Sequence, residues 1–150
     1  MEPMDLLRNP ILILAFLAWT AAQLSKVPVE WAWRRRLDLS LWFSAGGMPS
    51  SHAALVSAMA TAVGLREGFT STAFAISLIV ALIVMYDATG VRRAASIQAR
   101  ILNQILSEMF AGRPLSEQRL KELIGHTPME VLVGALLGVT IAWLWWQFAP

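Results

Sequence analysis

A chain of 150 residues is about one domain in length, and 57% hydrophobic against 15% charged residues, with a mean hydropathy of +0.57, makes it too apolar for a soluble domain of that size. With no cysteine, disulfides, thiolate metal sites and a cysteine-nucleophile phosphatase mechanism are all excluded. The net charge of +2 is small but clustered, with Arg34, Arg35 and Arg36 in one run and Arg92 and Arg93 in another, which suits anionic lipid or phosphate better than nucleic acid.

Four apolar stretches, residues 10–24, 51–65, 71–86 and 128–146, are candidates to cross or deeply enter a bilayer. The first reads as a retained span, because it lacks a small-residue cleavage signal and runs into Gln23, Ser25 and Lys26. A basic loop over 26–49 follows. The second and third stretches are short against the roughly 20 apolar residues that a crossing takes. They call for extension by flanking polar residues, or for shielding by other helices or a second subunit, so a homo-oligomer stays open. Small residues in the second stretch, Ala53, Ala54, Ser57, Ala58, Ala60, Thr61 and Gly64, favour shielding, since they let helix backbones approach closely.

The long connection over 87–127 contains an amphipathic helix. Val91, Ala94, Ala95, Ile97, Ile101, Leu102, Ile105, Leu106, Met109 and Phe110 recur at helical spacing, with Arg100, Asn103, Gln104 and Glu108 between them. It is expected at the membrane interface or packed on the bundle. A break at Gly112 and Pro114 precedes a short polar helix over 116–124 that ends at Gly125.

The fold class is therefore all-α integral membrane: one domain over residues 1–150, with about four embedded helices, an interfacial helix and a short polar one. By the positive-inside rule the two basic connections face the cytoplasm and both termini the outside, in a membrane of the bacterial inner-membrane type. Trp31, Trp33 and Trp42 at one end, and Trp143, Trp145 and Trp146 at the other, suit aromatic belts at the two interfaces.

This topology brings the groups able to do chemistry to a single membrane face: His52 opening the second stretch, Asp87 closing the third, and His126 with Glu130 opening the fourth. In Gly46-Gly47-Met48-Pro49-Ser50-Ser51-His52, the glycines permit a tight backbone path. Ser50 or Ser51 can cap a helix whose free amides attract an anion. The plainer reading makes the serines a cap only and His52 an interfacial hydrogen-bonding residue. In Asp87-Ala88-Thr89-Gly90-Val91-Arg92-Arg93 the paired guanidinium groups suit phosphate oxygens, or equally lipid head groups at the membrane edge. Asp87 either pairs with an arginine or positions a neighbour, and too few acids and histidines lie nearby to argue a metal cluster. Thr127-Pro128-Met129-Glu130 is a capping box with proline at the first helical position, which explains those residues but not His126. An acid four positions beyond a histidine can orient its imidazole and raise its basicity.

These residues resemble a known family. Pro49-Ser50-Ser51-His52 is similar to the Pro-Ser-Gly-His signature of the type 2 phosphatidic acid phosphatase superfamily, which includes the vanadium-dependent haloperoxidases. The run from His126 to Gly138 resembles that superfamily's last motif, a nucleophilic histidine followed by an acid and a small-residue membrane helix. Gly-Gly-Met-Pro-Ser-Ser-His and Asp-Ala-Thr-Gly-Val-Arg-Arg occur as such in its small divergent branch, the acid phosphatase/vanadium-dependent haloperoxidase-related proteins. The resemblance covers nearly the whole chain. It implies that His126 attacks phosphorus, Glu130 orients it and His52 protonates the leaving oxygen, while Lys26, Ser50, Ser51, Arg92 and Arg93 bind phosphate. No metal or cofactor is implied. Ser51 stands where the motif has glycine and Glu130 where it has aspartate. The arginine usual shortly before the nucleophile is absent, Leu120 occupying that region, so Arg92 or Arg93 takes its part.

The expected function is thus a membrane phosphatase acting on a lipid or prenyl phosphate. Its activity would depend on pH near histidine's intrinsic value of about 6.5 and survive a chelator. The alternatives are phosphoryl transfer to an acceptor other than water, or non-catalytic binding or transport of anionic lipid phosphates in the same basic pocket. Haloperoxidase chemistry fits this small lipid-facing chain least.

Overall fold

A computed structural model describes residues 8–35, 37–44, 46–109 and 126–148. Helix α1, Pro10–Arg34, begins where the Asn9 side chain accepts the Ile11 amide at 3.0 Å and Pro10 supplies a preset first turn. It does not stop near residue 24, as the polar residues after it suggest. It runs through Pro28, so Lys26 stands on a helix and not in a loop. Proline there leaves the carbonyl of Leu24 without its helical donor, and the indole of Trp42 donates to that carbonyl at 3.3 Å. Trp42 comes from a short 3-10 helix, Leu39–Phe43, which Gln23 Nε2 also ties to α1 by donating to the Trp42 carbonyl at 2.7 Å and the Ser44 carbonyl at 3.2 Å.

Helix α2, Ser51–Glu67, is capped by Ser50, whose hydroxyl accepts the Ala53 amide at 3.3 Å. Gly68, at φ +90°, turns the chain into Ser71, the cap of α3, Thr72–Thr89. Helix α4, Val91–Met109, follows after Gly90 alone and confirms the amphipathic helix expected there. Helix α5, Pro128–Phe148, starts from the predicted capping box: Thr127 N donates to Glu130 Oε2 at 3.0 Å and Glu130 N to Thr127 Oγ1 at 3.3 Å. The expected polar helix over 116–124, the break at Gly112 and Pro114, and Leu120 lie outside the described residues.

The bundle is organised around α2, which α1, α3 and α5 all touch, whereas among the described elements α4 touches only α3. Small residues at four-residue intervals make this possible. Leu14, Ala18 and Ala22 of α1, Ala54, Ala58 and Ala62 of α2, and Ala142 of α5 form one buried cluster. The α2–α5 contact is the closest. A Cβ on Gly134 would overlap the Ser50 carbonyl oxygen, and one on Gly138 would overlap that of Ala54 and sit 2.9 Å from the Ala58 nitrogen.

Three helices, α1, α3 and α5, are long and apolar enough to cross a membrane. The expectation of about four embedded helices is therefore supported for three. α2 has 17 residues, ten of them buried, and is shielded by its neighbours within the same chain. The tryptophans at the end of α1 and at the end of α5 are exposed, as two interfacial belts require.

Candidate functional site

Four chain segments meet at one end of the bundle: the last third of α1, the loop into α2, the end of α3 and the start of α5. The α1 stripe of Leu14, Ala18 and Ala22 continues in the same register to Lys26, which is only 1% exposed. Its Nζ donates to the Ser44 carbonyl at 2.8 Å, and the Glu130 carboxylate lies within electrostatic range. Over its aliphatic stem passes the Gly46–Gly47 turn. Gly47 has φ +90°, a conformation that requires glycine, and a Cβ there would lie 3.8 Å from Lys26 Cδ. The loop continues through a cis Met48–Pro49 bond into the α2 cap.

Ser50 and Ser51 are buried, at 0% and 2% exposure, and Ser50 joins two elements. Its hydroxyl caps α2, and its amide donates to the Glu130 carbonyl at 2.9 Å, docking the start of α2 on the first turn of α5. That approach is the one the absent Cβ of Gly134 allows. On the α3 side, the His126 amide donates to the Ala88 carbonyl at 3.2 Å, which fixes the residue before α5 beside the end of α3. The two histidines are thereby brought together. The rings of His52 and His126 lie 6.1 Å apart, centroid to centroid, at 74°. His126 is 1% exposed and His52 half-buried, so the pair sits at the margin of the core.

The structure brings Lys26, Ser50, Ser51, His52, His126 and Glu130 to this one end of the bundle. Asp87 is half-buried in the last turn of α3, adjacent to the Ala88 carbonyl that His126 uses. Arg92 and Arg93 fall in the first turn of α4. Their side chains lie outside the description. The Glu130 carboxylate is engaged by the capping box, so capping and any orientation of His126 share one group. Among the described residues no three of histidine, aspartate or glutamate are grouped as metal ligands would be.

Sequence reasoning missed the backbone parts of this site, the Ser44 and Ala88 carbonyls and the Glu130 carbonyl that seats Ser50. The spacing of Gln23 and Lys26 on one helical turn was a signal that α1 reaches the loop. The second part of the small-residue pattern, Gly134 and Gly138, was legible as a close-packing face, but its partner was not.

Comparison with known proteins agrees with this architecture. Residues 7–141 match the family described as "Divergent PAP2 family". The chain is 42% identical over 149 residues to "Uncharacterized membrane protein YuiD" of Bacillus subtilis (strain 168), a match covering 92% of this chain and 94% of the relative. No solved structure matches it.

Proposed function

The chain belongs to the divergent PAP2 family, and from that premise we propose that it is a membrane phosphatase hydrolysing a lipid or prenyl phosphate through a phosphohistidine intermediate, without a metal. The observation that carries the reading is the His52–His126 pair, ring centroids 6.1 Å apart, at the end of the bundle where Lys26 is buried. In a membrane helix a buried ionisable side chain is costly and marks a site by default. Two imidazoles at this separation can both reach one phosphoryl group, since reacting atoms approach to about 3–3.5 Å on each side.

In the first step an imidazole nitrogen of His126 attacks phosphorus. The N–P bond forms as the P–O bond to the lipid alkoxide breaks, and His52 gives that oxygen its proton. In the second, His52 takes a proton from water, which displaces the His126 nitrogen and releases inorganic phosphate. Lys26 and the amides at the start of α2, behind Ser50 and Ser51, stabilise the crowded oxygens. Arg92 and Arg93 add charge-assisted donors. Glu130 and Asp87 position the nucleophile from the two segments that hold it. The basic face lies on the cytoplasmic side, and the lipid tail stays in the bilayer.

Phosphate release from phosphatidate, phosphatidylglycerol phosphate and prenyl phosphates, by purified protein with chelator present, tests this directly. Wild-type release that His126→Ala abolishes is the expected result. A second reading, non-catalytic binding or transport of anionic lipid phosphates, draws on the engagement of Glu130 in the cap. Equal binding by both proteins with release by neither would favour it.

A further inference from the structure

The two sides of α2 differ in kind. At 3.6 residues per turn, Ala54 and Ala58 face the glycines of α5, and the opposite side carries the helix's large residues, His52, Leu55, Val56, Met59, Val63 and Arg66. α3 packs along one flank of that side, where Val56 is buried with Ala60 and Ala81 and Leu55 packs against them. α5 bridges α1 and α3 behind α2, but no Cα of α1 lies within 8 Å of a Cα of α3. The result is a furrow, walled by α1 and α3 and floored by α2.

It is a recess and not an ordinary lipid-facing surface. Ile76 and Ile79 on the outside of α3 are 59% and 57% exposed, whereas Leu55 and Met59, in the furrow, are half-buried. At one end stands His52, half of the histidine pair, and at the other the exposed Arg66. Those two residues are about 21 Å apart along the helix, at 1.5 Å per residue.

We infer that this furrow holds one apolar chain of a phosphate-bearing amphiphile, from His52 down past Leu55 and Met59, with the furrow open sideways to the bilayer. The inference rests on the proposed phosphate site. Continuity with that site identifies the occupant: an anionic head at Lys26 and the histidines leaves its tail at the head of the furrow. A hydrocarbon chain also suits a floor of aliphatic side chains that includes the adaptable Met59.

The test uses the full chain in nanodiscs and a long-chain alkyl phosphate carrying a diazirine midway along its tail. Photolabelling of the α2 furrow residues, competed by the unlabelled alkyl phosphate, is the expected result. Met59→Trp should reduce that labelling about tenfold by filling the furrow, and Ile79→Trp on the outside of α3 should leave it unchanged. Should Met59→Trp fail to fold, competed labelling of the wild type decides alone. Labelling confined to the outside of α3, labelling of α2 that is not competed, or no labelling at all overturns the inference. Turnover of the same probe separates it from the phosphatase reading: labelling in the furrow without hydrolysis sinks the enzyme and keeps the furrow. Hydrolysis with labelling elsewhere does the reverse.

Discussion

Helices α3 and α5 are of similar length and apolarity, yet they serve the protein differently. α5 presses its backbone onto α2 through Gly134 and Gly138 and delivers His126 and Glu130 to the site. α3 meets α2 along a narrow line at Ser77, Ala81 and Ala88, and turns Ile76, Ile79, Leu82 and Ile83 outward. In a bilayer, lipid solvates an isoleucine as well as a protein core does, so apolarity does not choose a helix's partner. Small residues at four-residue intervals do, because they decide how closely two backbones can come.

The largest way to break that contrast is Gly138→Leu. Its side chain meets the Ala54 carbonyl and the Ala58 amide, which are backbone and cannot move aside. A loss of about 3 kcal/mol or outright failure to fold is expected, seen as a lower thermal midpoint in detergent. Next, His126→Asn should leave the fold intact and reduce lipid phosphate release at least about a thousandfold, as removal of a nucleophile does. Release that persists would move the role of α5 from chemistry to packing.

Lys26→Met sharpens the comparison from the α1 side. It keeps the volume and removes the buried charge but leaves the Ser44 carbonyl without its donor, so stability should fall by about 1 kcal/mol, while affinity for a long-chain alkyl phosphate falls about tenfold or more, measured by equilibrium binding. Ser50→Ala should cost about 1 kcal/mol through the lost cap at Ala53. Ile79→Ala on the outside of α3 should change stability by less than about 0.5 kcal/mol. A large loss there would mean that α3 packs against something beyond this chain.

Much of this was legible before any coordinates. The apolar stretches, the caps at Ser50 and Thr127, and the amphipathic run over 91–109 all follow from local side-chain chemistry, which sequence states directly. The two histidines were legible as members of one site because the spans alternate in direction and bring His52 and His126 to the same face. The length of α1 was not. Pro28 and the polar residues before it argue locally for a stop, and the helix continues because Trp42, 14 residues further on, satisfies the carbonyl that Pro28 abandons.

By itself, then, the sequence determined that this is a helical membrane protein with a histidine-bearing polar face, since periodicity, inventory and capping are properties of neighbours in the chain. Only the tertiary structure decided which helix is central, that Lys26 is a buried helical residue beside Glu130, and that α1 and α3 stand apart. Those outcomes depend on which backbones approach one another, and a contact between glycine and a distant carbonyl leaves no mark on the residues in between.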